Sequence, residues 1–480
     1  MLRARFAVQK KIIQLEFNEL CPTLVDSFIA EGHLPNFAQL KSQSYVFTTD
    51  AEEKAPNLEP WIQWVTVHTG LSFTNHRVFD LGDGYKLKVP RVWDIVGQHR
   101  KKVWICGSMN ASFQKPIQGF ILPDPWSTGV HPYPEGLFDN FYNFIRANVQ
   151  EHTRASVPVS KADQVRFLTF MTTHGMKPKT VTSIIKQLLG ERGGSNRWKR
   201  AVILDELQWD VFSWFWRREE PTFATFFLNS TAHFQHIYWR NMDPSVFSVK
   251  PSHTEQEEYG NAVLFGYQKM DTVIGKCLKL MDSNTIVVLA TALSQQPCLK
   301  YENSGGKEFY RPEDPGELFE FAGFGGDPEF APVMSEQFRL LFASEAEASG
   351  AEKALLGLRM GNHPVMLARA EGKEVFAGCT IFERVPPDSM IVNSEGVARL
   401  FYELFYNCNL VKSGMHHPDG ILWISMPERT SHFQKERVSL RTVAPTMLSL
   451  LGYPAPDFME LPPLSMPTVL EPVPLAGISR

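Results

Sequence analysis

Two histidine-bearing stretches, far apart in the chain, contain the residue types that could do chemistry. The first, FFLNSTAHFQHIYWR at 226–240, places His233 and His236 three residues apart, a spacing at which helical side chains share one face. The second, SGMHHPDGILWISMP, contains His416 and His417. Imidazoles that approach one another bind a divalent metal ion or an anion. An isolated H-x-x-H is more typical of histidines satisfied by hydrogen bonds at a strand end, so the second cluster is what favours a site.

Apolar runs in front of polar residues predict the strands that would position this site. Residues 222–228 (TFATFFL) form a short β-rich run that ends at Asn229, and we interpret it as a buried strand. KIIQLEF at 11–17 is a second such run, followed directly by Asn18 and Glu19. Ligands of open α/β sheets bind beyond the carboxyl ends of the strands. The sequence therefore predicts a ligand site where these polar residues follow their strands.

A predicted helix adds another carboxylate. In NLEPWIQWVTVHTGL, apolar residues recur at intervals of three and four, with Pro60 in the first turn and Gly70 as the stop. Glu59 would lie at the helix N-terminus, where the helix dipole favours a carboxylate and where an anionic substrate would also dock. Gln295 follows a further predicted strand, TIVVLATAL, and is a candidate substrate contact.

Composition narrows the class of protein. With 480 residues, of which 43% are hydrophobic, the chain can bury a large core. A formal net charge of −4 gives no long-range attraction to nucleic acid or to an anionic membrane. No apolar run approaches the roughly 18 residues that a membrane span needs. The six cysteines form no C-x-x-C pair, and the N-terminus has no signal-peptide core, so we expect a cytoplasmic protein with reduced thiols.

Two stretches read as insertions in one domain that spans residues 1–480. Residues 131–220 show long, charged helical patterns around the loop GERGGSNR, which predicts a helical insertion covering one edge of the core. Residues 294–357 are acidic and rich in turn-forming glycines, which predicts a loop-rich insertion.

The order of these motifs resembles the alkaline phosphatase superfamily, in particular its type I phosphodiesterase and nucleotide pyrophosphatase branch. The most specific strings are HHPDGILWISMP and VAPTMLSLLGYPAP, and LPNFAQL and VTVHTGLSFTNH support them. The resemblance covers most of the chain outside the insertions. It implies an α/β fold of the alkaline-phosphatase-like three-layer type, in which helices cover both faces of a mostly parallel sheet. It also implies two divalent metals, usually zinc, at a site for phosphate or sulfate esters.

The family's site residues are only partly present here. Its first-strand aspartate falls on Asn18, its nucleophilic threonine or serine on Pro60, and its D-x-x-x-H aspartate on Ala232. Its S-D-H-G motif falls on TALS, where both ligands are replaced by apolar residues. The two matching histidines are His236 and His416. The resemblance therefore implies at most one metal, zinc by preference, held by these two imidazoles.

The first functional hypothesis is a hydrolase or transferase that acts on a small phosphorylated or sulfated ester. Glu59 would be the general base or a ligand, and Glu19 would supply the carboxylate that Asn18 lacks. His233 or His417 would assist the metal-binding pair. The candidate catalytic residues are thus Glu59, Asn18 and Glu19, the candidate metal ligands His236 and His416, and the candidate substrate contacts Asn229, His233 and Gln295.

Two alternatives stay open. A chain stripped of the family's nucleophile and of most of one metal site is also compatible with a catalytically inactive protein that binds an anion. A metal-free enzyme would instead use His236 and Glu59 for acid–base chemistry. The strings EPWIQWVTVHTG, TAHFQHIYW and ATALSQQP are similar to a divergent branch found with bacterial surface-polysaccharide genes, which implies a role in surface-polysaccharide or nucleotide-sugar metabolism. The sequence gives no oligomeric state.

Overall fold

A computed structural model describes most of the chain. The described residues are 9–127, 129–150, 160–191, 196–302, 306–333, 336–408 and 412–466. The helices are α1 (Pro22–Ala30), α2 (Pro35–Lys41), α3 (Pro60–Thr69), α4 (Phe73–His76), α5 (Val92–Gln98), α6 (Asp139–Gln150), α7 (Lys161–Thr173), α8 (Pro178–Gly190), α9 (Ile203–Glu219), α10 (Ser230–Met242), α11 (His253–Tyr259), α12 (Ala262–Leu278), α13 (Pro315–Ala322), α14 (Glu345–Leu356), α15 (Phe401–Leu404) and α16 (Val443–Leu450). None of them is long and apolar enough to cross a bilayer.

The strands fall into one large sheet and several small ones. They are β1 (Lys11–Phe17), β2 (Tyr45–Asp50), β3 (Val103–Cys106), β4 (Gly119–Leu122), β5 (Phe223–Leu228), β6 (Thr285–Ala290), β7 (Ser294–Pro297), β8 (Tyr310–Pro312), β9 (Glu329–Pro332), β10 (Gln337–Leu341), β11 (Arg359–Met360), β12 (His363–Pro364), β13 (Met366–Glu371), β14 (Glu374–Cys379), β15 (Met390–Val392), β16 (Ala398–Leu400), β17 (Phe405–Asn407), β18 (Gly414–His417), β19 (Asp419–Ser425), β20 (His432–Phe433) and β21 (Val438–Ser439).

The central sheet has nine strands in the order β20-β2-β19-β6-β1-β5-β3-β4, with β21 paired beside β2. Strand β1 lies between β5 and β6 and is parallel to both, so that Leu15 is opposite Phe226 on one side and Leu289 on the other. Among the described strands of this sheet, β19 is the one that runs antiparallel to its neighbours. The predicted fold class, an α/β sandwich with a mostly parallel sheet, is confirmed.

Helices cover both faces because alternate residues of the buried strands enter two different cores. Ile13, Leu15 and Phe17 of β1 belong to a core that includes residues of α1, α9 and α12. Ile12 belongs to the opposite core, which includes residues of α3, α5 and α16. The strands are apolar on both sides, as expected for a parallel sheet between two helical layers. This burial fixes the register of β1 and therefore the position of the polar residues that follow it.

The two insertion regions have different characters. The stretch 131–220 contains α6 to α9, in the place where the sequence predicted a helical insertion. The stretch predicted to be loop-rich, 294–357, contains β7 to β10, α13 and α14. Together with the strands up to β17 it surrounds a third core, which includes Tyr310, Leu340 and Phe401. The chain leaves the central fold after β7 and returns to it at β18, and these two strands pair with each other.

Candidate active site

Three side chains from separate elements converge at the carboxyl end of the central strands. Glu19 follows β1, His236 lies on α10 after β5, and His416 lies on β18. The Oε2 atom of Glu19 is 3.0 Å from Nε2 of His236 and 3.5 Å from Nε2 of His416. One ligand atom from each residue lies within 4.8 Å of the other two. We call this group the triad.

The backbone fixes how both imidazoles present themselves to Glu19. Nδ1 of His236 is 3.1 Å from the Gly414 carbonyl oxygen, and Nδ1 of His416 is 2.9 Å from the Leu58 carbonyl oxygen. A carbonyl can only accept, so we assign the ring proton of each neutral imidazole to Nδ1. The Nε2 lone pairs of His236 and His416 then face the carboxylate of Glu19. Three electron-pair donors meet with no proton between them.

Two amide side chains hold the carboxylate of Glu19 in place. Gln295 donates from Nε2 to Glu19 Oε2 at 2.5 Å and to the Ala232 carbonyl at 3.0 Å. Asn18 donates from Nδ2 to Glu19 Oε1 at 2.9 Å and to Asn229 Oδ1 at 2.8 Å. The structure thus brings four other predicted site residues, Asn18, Gln295, His236 and His416, into contact with Glu19.

Local backbone geometry supports the same arrangement. Glu19 has φ of 62°, a left-handed conformation that is unfavourable for a glutamate and is tolerated where the surroundings impose it. Gly414 lies where a Cβ would come within 2.5 Å of the Gln235 carbonyl oxygen, so only glycine lets β18 approach α10 this closely. This approach lets the Gly414 carbonyl reach His236.

Burial and charge set the protonation of the triad. Burial lowers the pKa of both imidazoles, that of His416 to about 3, and the positive charge of Lys412 also lowers the pKa of each. Burial raises the pKa of Glu19, but attraction to His236 and His416, which are charged in the acid range where Glu19 titrates, and to Lys412 outweighs it and lowers this pKa to about 2. At neutral pH the site therefore holds neutral imidazoles and an ionised carboxylate, the forms that bind metals.

Glu59 lies beside the triad and is not one of its three members. It is the residue before α3, and its Oε2 is 3.4 Å from Nδ1 of His416. Burial raises the pKa of Glu59 to about 8. The positive charge of Lys412 lowers this pKa, and the negative charge of Glu19 raises it. Its side chain keeps 29% of its surface exposed, which places it at the mouth of the site.

Two lysines near the triad were not predicted from the sequence. Lys307 and Lys412 pair across an antiparallel bridge, with backbone hydrogen bonds of 3.2 and 2.9 Å, where the third-core insertion begins and ends. The charge of Lys412 acts on all three triad members and on Glu59, and that of Lys307 acts on Glu59. More than 100 residues separate the two lysines in the sequence, and no motif links them. The position of Lys412, four residues before His416, was the only available signal.

The donor set fits a single divalent metal. Two imidazole nitrogens and one carboxylate oxygen are a known zinc ligand set, and the backbone carbonyls that bind Nδ1 are the outer partners such histidines usually have. The second metal position of the resembled family does not fit. Asn18 Oδ1, which would replace its aspartate, instead accepts a hydrogen bond of 2.8 Å from Trp64 Nε1. Ala292 and Leu293 are fully buried and apolar.

The remaining predicted residues lie around the triad. Asn229 precedes the first turn of α10 and contacts Asn18 rather than capping the helix with its side chain. His233, one turn before His236 on the same helix, is exposed and does not belong to the triad. His417 accepts a hydrogen bond of 3.2 Å at Nδ1 from the Asp419 amide. The roles predicted for these three residues in binding substrate or assisting a metal stay predictions.

A second polar group lies in the core, three residues earlier on β1. Glu16 is fully buried, and its Oε1 lies 2.8 Å from Nε2 of His68 and 2.9 Å from Nε2 of Gln14. Its Oε2 accepts a hydrogen bond of 2.6 Å from Ser108, which is 2.7 Å from the hydroxyl of Thr225. We call this group the core cluster. His68 and Trp64, which binds Asn18, are four residues apart on α3, so one helix face contacts both ends of the polar region.

Comparison with known proteins places the chain among distant structural neighbours. No protein-family model matches it, and no curated protein matches it in sequence. An inactive variant of murine ectonucleotide pyrophosphatase/phosphodiesterase 5, in complex with AMP, is 10% identical, with 95% of this chain and 98% of that chain covered and a TM-score of 0.41. Phosphonoacetate hydrolase from Sinorhizobium meliloti, in complex with phosphonoformate, is 9% identical over 92% and 95% of the chains, with a TM-score of 0.43.

A third neighbour is the wild-type alkaline phosphatase PafA, which is 12% identical over 95% of this chain and 99% of that chain, with a TM-score of 0.44. At identities and scores this low, no residue role is transferred from these proteins to this chain. All three neighbours are members of the alkaline phosphatase superfamily, which is the family that the sequence motifs resemble.

Proposed function

We propose that this protein is a hydrolase or transferase of a small phosphate or sulfate ester, with one divalent metal, zinc by preference, held by Glu19, His236 and His416. One observation carries the proposal. The Nε2 lone pairs of two partly buried imidazoles face an ionised carboxylate, and backbone carbonyls hold both imidazoles in that orientation. Such an arrangement is repulsive by itself and becomes favourable when a cation binds among the three atoms.

When bound at a His₂Glu set, zinc lowers the pKa of a coordinated water and polarises an ester oxygen. The chain's own residues would bind and orient the ester. Lys412 supplies positive charge beside the triad, and α3 and α10 both begin at the site, which favours an anionic group there. Glu59 lies close enough to exchange a proton with a reacting group at the mouth of the site.

The attacking group in this proposal is water. Pro60 stands where the resembled family has its nucleophilic hydroxyl, and it begins α3. Proline has no nucleophilic atom, so a covalent enzyme ester at this position is excluded. A small anionic ester, including a sugar phosphate or nucleotide sugar of surface-polysaccharide metabolism, is the substrate class to test first.

Metal content and turnover test the proposal together. Elemental analysis of protein purified without a histidine tag should find about one zinc per chain, and little in His236→Ala. His233→Ala is the matched control, because it removes an exposed imidazole one turn away on α10 and should leave the metal in place. Aryl phosphate monoesters, aryl phosphate diesters and aryl sulfates are the substrates to screen.

The outcomes separate the three hypotheses. Bound metal with turnover that His236→Ala abolishes supports the proposal. Absence of metal together with absence of turnover supports a protein that binds an anion without catalysis. Turnover that survives complete metal removal supports acid–base chemistry by the side chains alone.

A further inference from the structure

A continuous series of side-chain hydrogen bonds connects helix α3 with the start of α10 and passes beside the triad. Nε1 of Trp64 donates to Oδ1 of Asn18 at 2.8 Å. Nδ2 of Asn18 donates to Oε1 of Glu19 at 2.9 Å and to Oδ1 of Asn229 at 2.8 Å. Trp64 and Asn18 are buried, whereas Asn229 is partly exposed at the end of the series.

The chemistry of these groups fixes the orientation of both amides. The indole nitrogen of Trp64 can only donate, so the atom of Asn18 that faces it is the oxygen. The ionised carboxylate of Glu19 can only accept, which independently turns the NH₂ group of Asn18 toward it. The same NH₂ group faces Asn229, and Asn229 must therefore turn its own oxygen toward Asn18. Neither amide can be flipped without placing two donors or two acceptors against each other.

This orientation leaves the NH₂ group of Asn229 unused. Its Nδ2 points away from Asn18 and has no hydrogen-bond partner among the described residues. Asn229 is also the N-cap residue of α10, a position at which asparagine usually accepts a hydrogen bond from the second or third N–H group of the helix. Its side chain makes no such bond, because its oxygen accepts from Asn18 instead. Asn229 therefore does not have the usual structural role of an N-cap asparagine.

The unused NH₂ group belongs to the ester site proposed above. Asn229 is two hydrogen bonds from Glu19, and it precedes the helix that carries His236. The positive charge of Lys412 acts on both of these triad members and attracts anions to this place. A phosphate or sulfate ester carries at least two non-bridging oxygens, so a site with a single metal needs other donors for the charge that the metal leaves uncompensated.

We propose that Asn229 donates from Nδ2 to a non-bridging oxygen of the substrate ester, and that Asn18 is the positioning residue that keeps this NH₂ group turned toward the substrate. The inference rests on the hydrolase or transferase function proposed above. Asn18 stands where the resembled family has a metal-binding aspartate. An ionised aspartate there would accept rather than donate, and it would turn the NH₂ group of Asn229 inward. The change from aspartate to asparagine thus removes a metal ligand and creates a donor for an oxyanion at the end of the neighbouring strand.

Calorimetric titration of the full chain with sodium sulfate tests the role of Asn229 without a substrate. Asn229→Ala removes the donor, and we expect the dissociation constant for sulfate to rise at least about tenfold, since a hydrogen bond to a charged acceptor is lost. Asn229→Asp keeps an oxygen that accepts from Asn18 but places a negative charge where the donor was, so affinity should fall further. Asn261→Ala is the matched control, because Asn261 is the N-cap residue of α12 and also makes no side-chain cap bond. It should bind sulfate as the unchanged protein does.

A double-mutant cycle tests the positioning role of Asn18. Asn18→Leu removes the donor that holds the oxygen of Asn229, so only part of the molecules would present the NH₂ group to an anion. We expect this substitution to weaken sulfate binding by about threefold more in the presence of Asn229 than in Asn229→Ala. Asn241→Leu, the same change at a buried asparagine near the other end of α10, should not alter sulfate affinity. Urea unfolding of each variant shows whether it has kept the fold.

Zinc content measured on the same samples separates this inference from the proposed function. Retained zinc together with a sulfate affinity that Asn229→Ala leaves unchanged overturns the role of Asn229 and not the metal site. Equal effects of Asn18→Leu with and without Asn229 overturn the positioning role. Sulfate binding that requires Asn229 in protein without zinc supports the donor and contradicts the metal site. Absence of sulfate binding to the unchanged protein overturns the inference.

Discussion

Two polar groups each contain a glutamate from the first strand or the turn after it, Glu16 on β1 and Glu19 just past its end, and the two groups use histidine in opposite ways. In the core cluster, Nε2 of His68 faces Glu16, and its Nδ1 has no hydrogen-bond partner among the described residues, so the proton belongs on Nε2. In the triad, carbonyl oxygens accept hydrogen bonds from Nδ1 of His236 and of His416, and the unprotonated Nε2 atoms face Glu19.

The difference separates a structural histidine from one that is ready to bind a ligand. Glu16 accepts hydrogen bonds from His68, Gln14 and Ser108, so its polar atoms are satisfied inside the protein. Glu19 accepts hydrogen bonds from the amides of Asn18 and Gln295, but both imidazoles turn Nε2 lone pairs toward its carboxylate. A carboxylate at hydrogen-bond distance from a histidine can therefore be a structural hydrogen bond or a site that can bind a cation. The hydrogen-bond partner of the other ring nitrogen distinguishes the two cases.

Glu19→Gln should give the largest effect on function. The substitution keeps the shape but removes the charge that a cation needs, so we expect metal affinity to fall by at least about 100-fold, and turnover with it. The unfolding free energy of the metal-free protein should change by less than about 1 kcal/mol, because the new amide donates to the Nε2 atom of His236 but gives up the hydrogen bond that Gln295 donates to the same position. Metal titration and urea unfolding measure the two quantities. A marked loss of stability in the metal-free state would show that the triad is a structural cluster.

Glu16→Gln, the same substitution three residues earlier, should have the reverse profile. The amide group of glutamine would face donors from His68 and Ser108, and we expect the unfolding free energy to fall by about 3 kcal/mol. The metal content of the folded protein should not change. Urea unfolding followed by elemental analysis of the same sample tests both statements, and loss of metal from folded protein would contradict them.

Asp205 offers an intermediate case, a carboxyl with little compensation. It is buried on α9, and the one side chain seen to donate to it is that of Ser230. Burial raises its pKa to about 7, against the hydrogen bond of Ser230. Because this folded-state pKa is above the unfolded value of about 3.9, the native state holds the proton more tightly, and stability is lost as pH rises from about 4 to 7.

Asp205→Asn should therefore remove part of the pH dependence of folding. Relative to the unchanged protein, we expect the variant to gain about 2 to 3 kcal/mol between pH 5 and pH 8, as measured by urea unfolding at both values. If the unfolding free energy changed equally with pH in the two proteins, Asp205 would have an ordinary pKa. Metal content should not respond, since Asp205 contacts Ser230 and not the triad.

Lys412→Ala should give the smallest of these effects. If Lys412 attracts the anionic ester, KM should rise about tenfold and kcat should change less, because an exposed or half-exposed charge contributes about 1 kcal/mol to such binding. Lys373→Ala, on the distant insertion, is the control for a general loss of positive charge. A fall in kcat with constant KM would instead indicate that Lys412 acts on the reaction step.

Sequence patterns were sufficient for the main strands and helices around the site, and the family resemblance singled out the two histidines that meet there. The apolar runs at β1, β5 and β6 and the helix from Pro60 to Thr69 appear where periodicity and stop residues predicted them. Because these strands are parallel neighbours, the polar residues after β1 and β5 had to meet at one edge. His236 and His416 do meet there, although the sequence alone gave them no fixed distance.

Other features of the site depend on tertiary structure that no local pattern encodes. Lys307 and Lys412 are adjacent only because the insertion between them folds around its own core. The protonation of Nδ1 in both histidines depends on the backbone carbonyls of Leu58 and Gly414. Every residue has a backbone carbonyl, so these partners leave no signal in the sequence. The choice between Glu19 and Glu59 as the triad carboxylate likewise required the backbone path after β1.

The left-handed backbone of Glu19 has a consequence for anyone who engineers this chain. Glycine or asparagine would relax the conformation at φ of 62°, so a library ranked only by resistance to heat in the presence of a chelator should enrich both at this position. The same library ranked in the presence of zinc should retain glutamate. Selecting one population under two conditions would therefore reveal the ligand without any knowledge of the substrate.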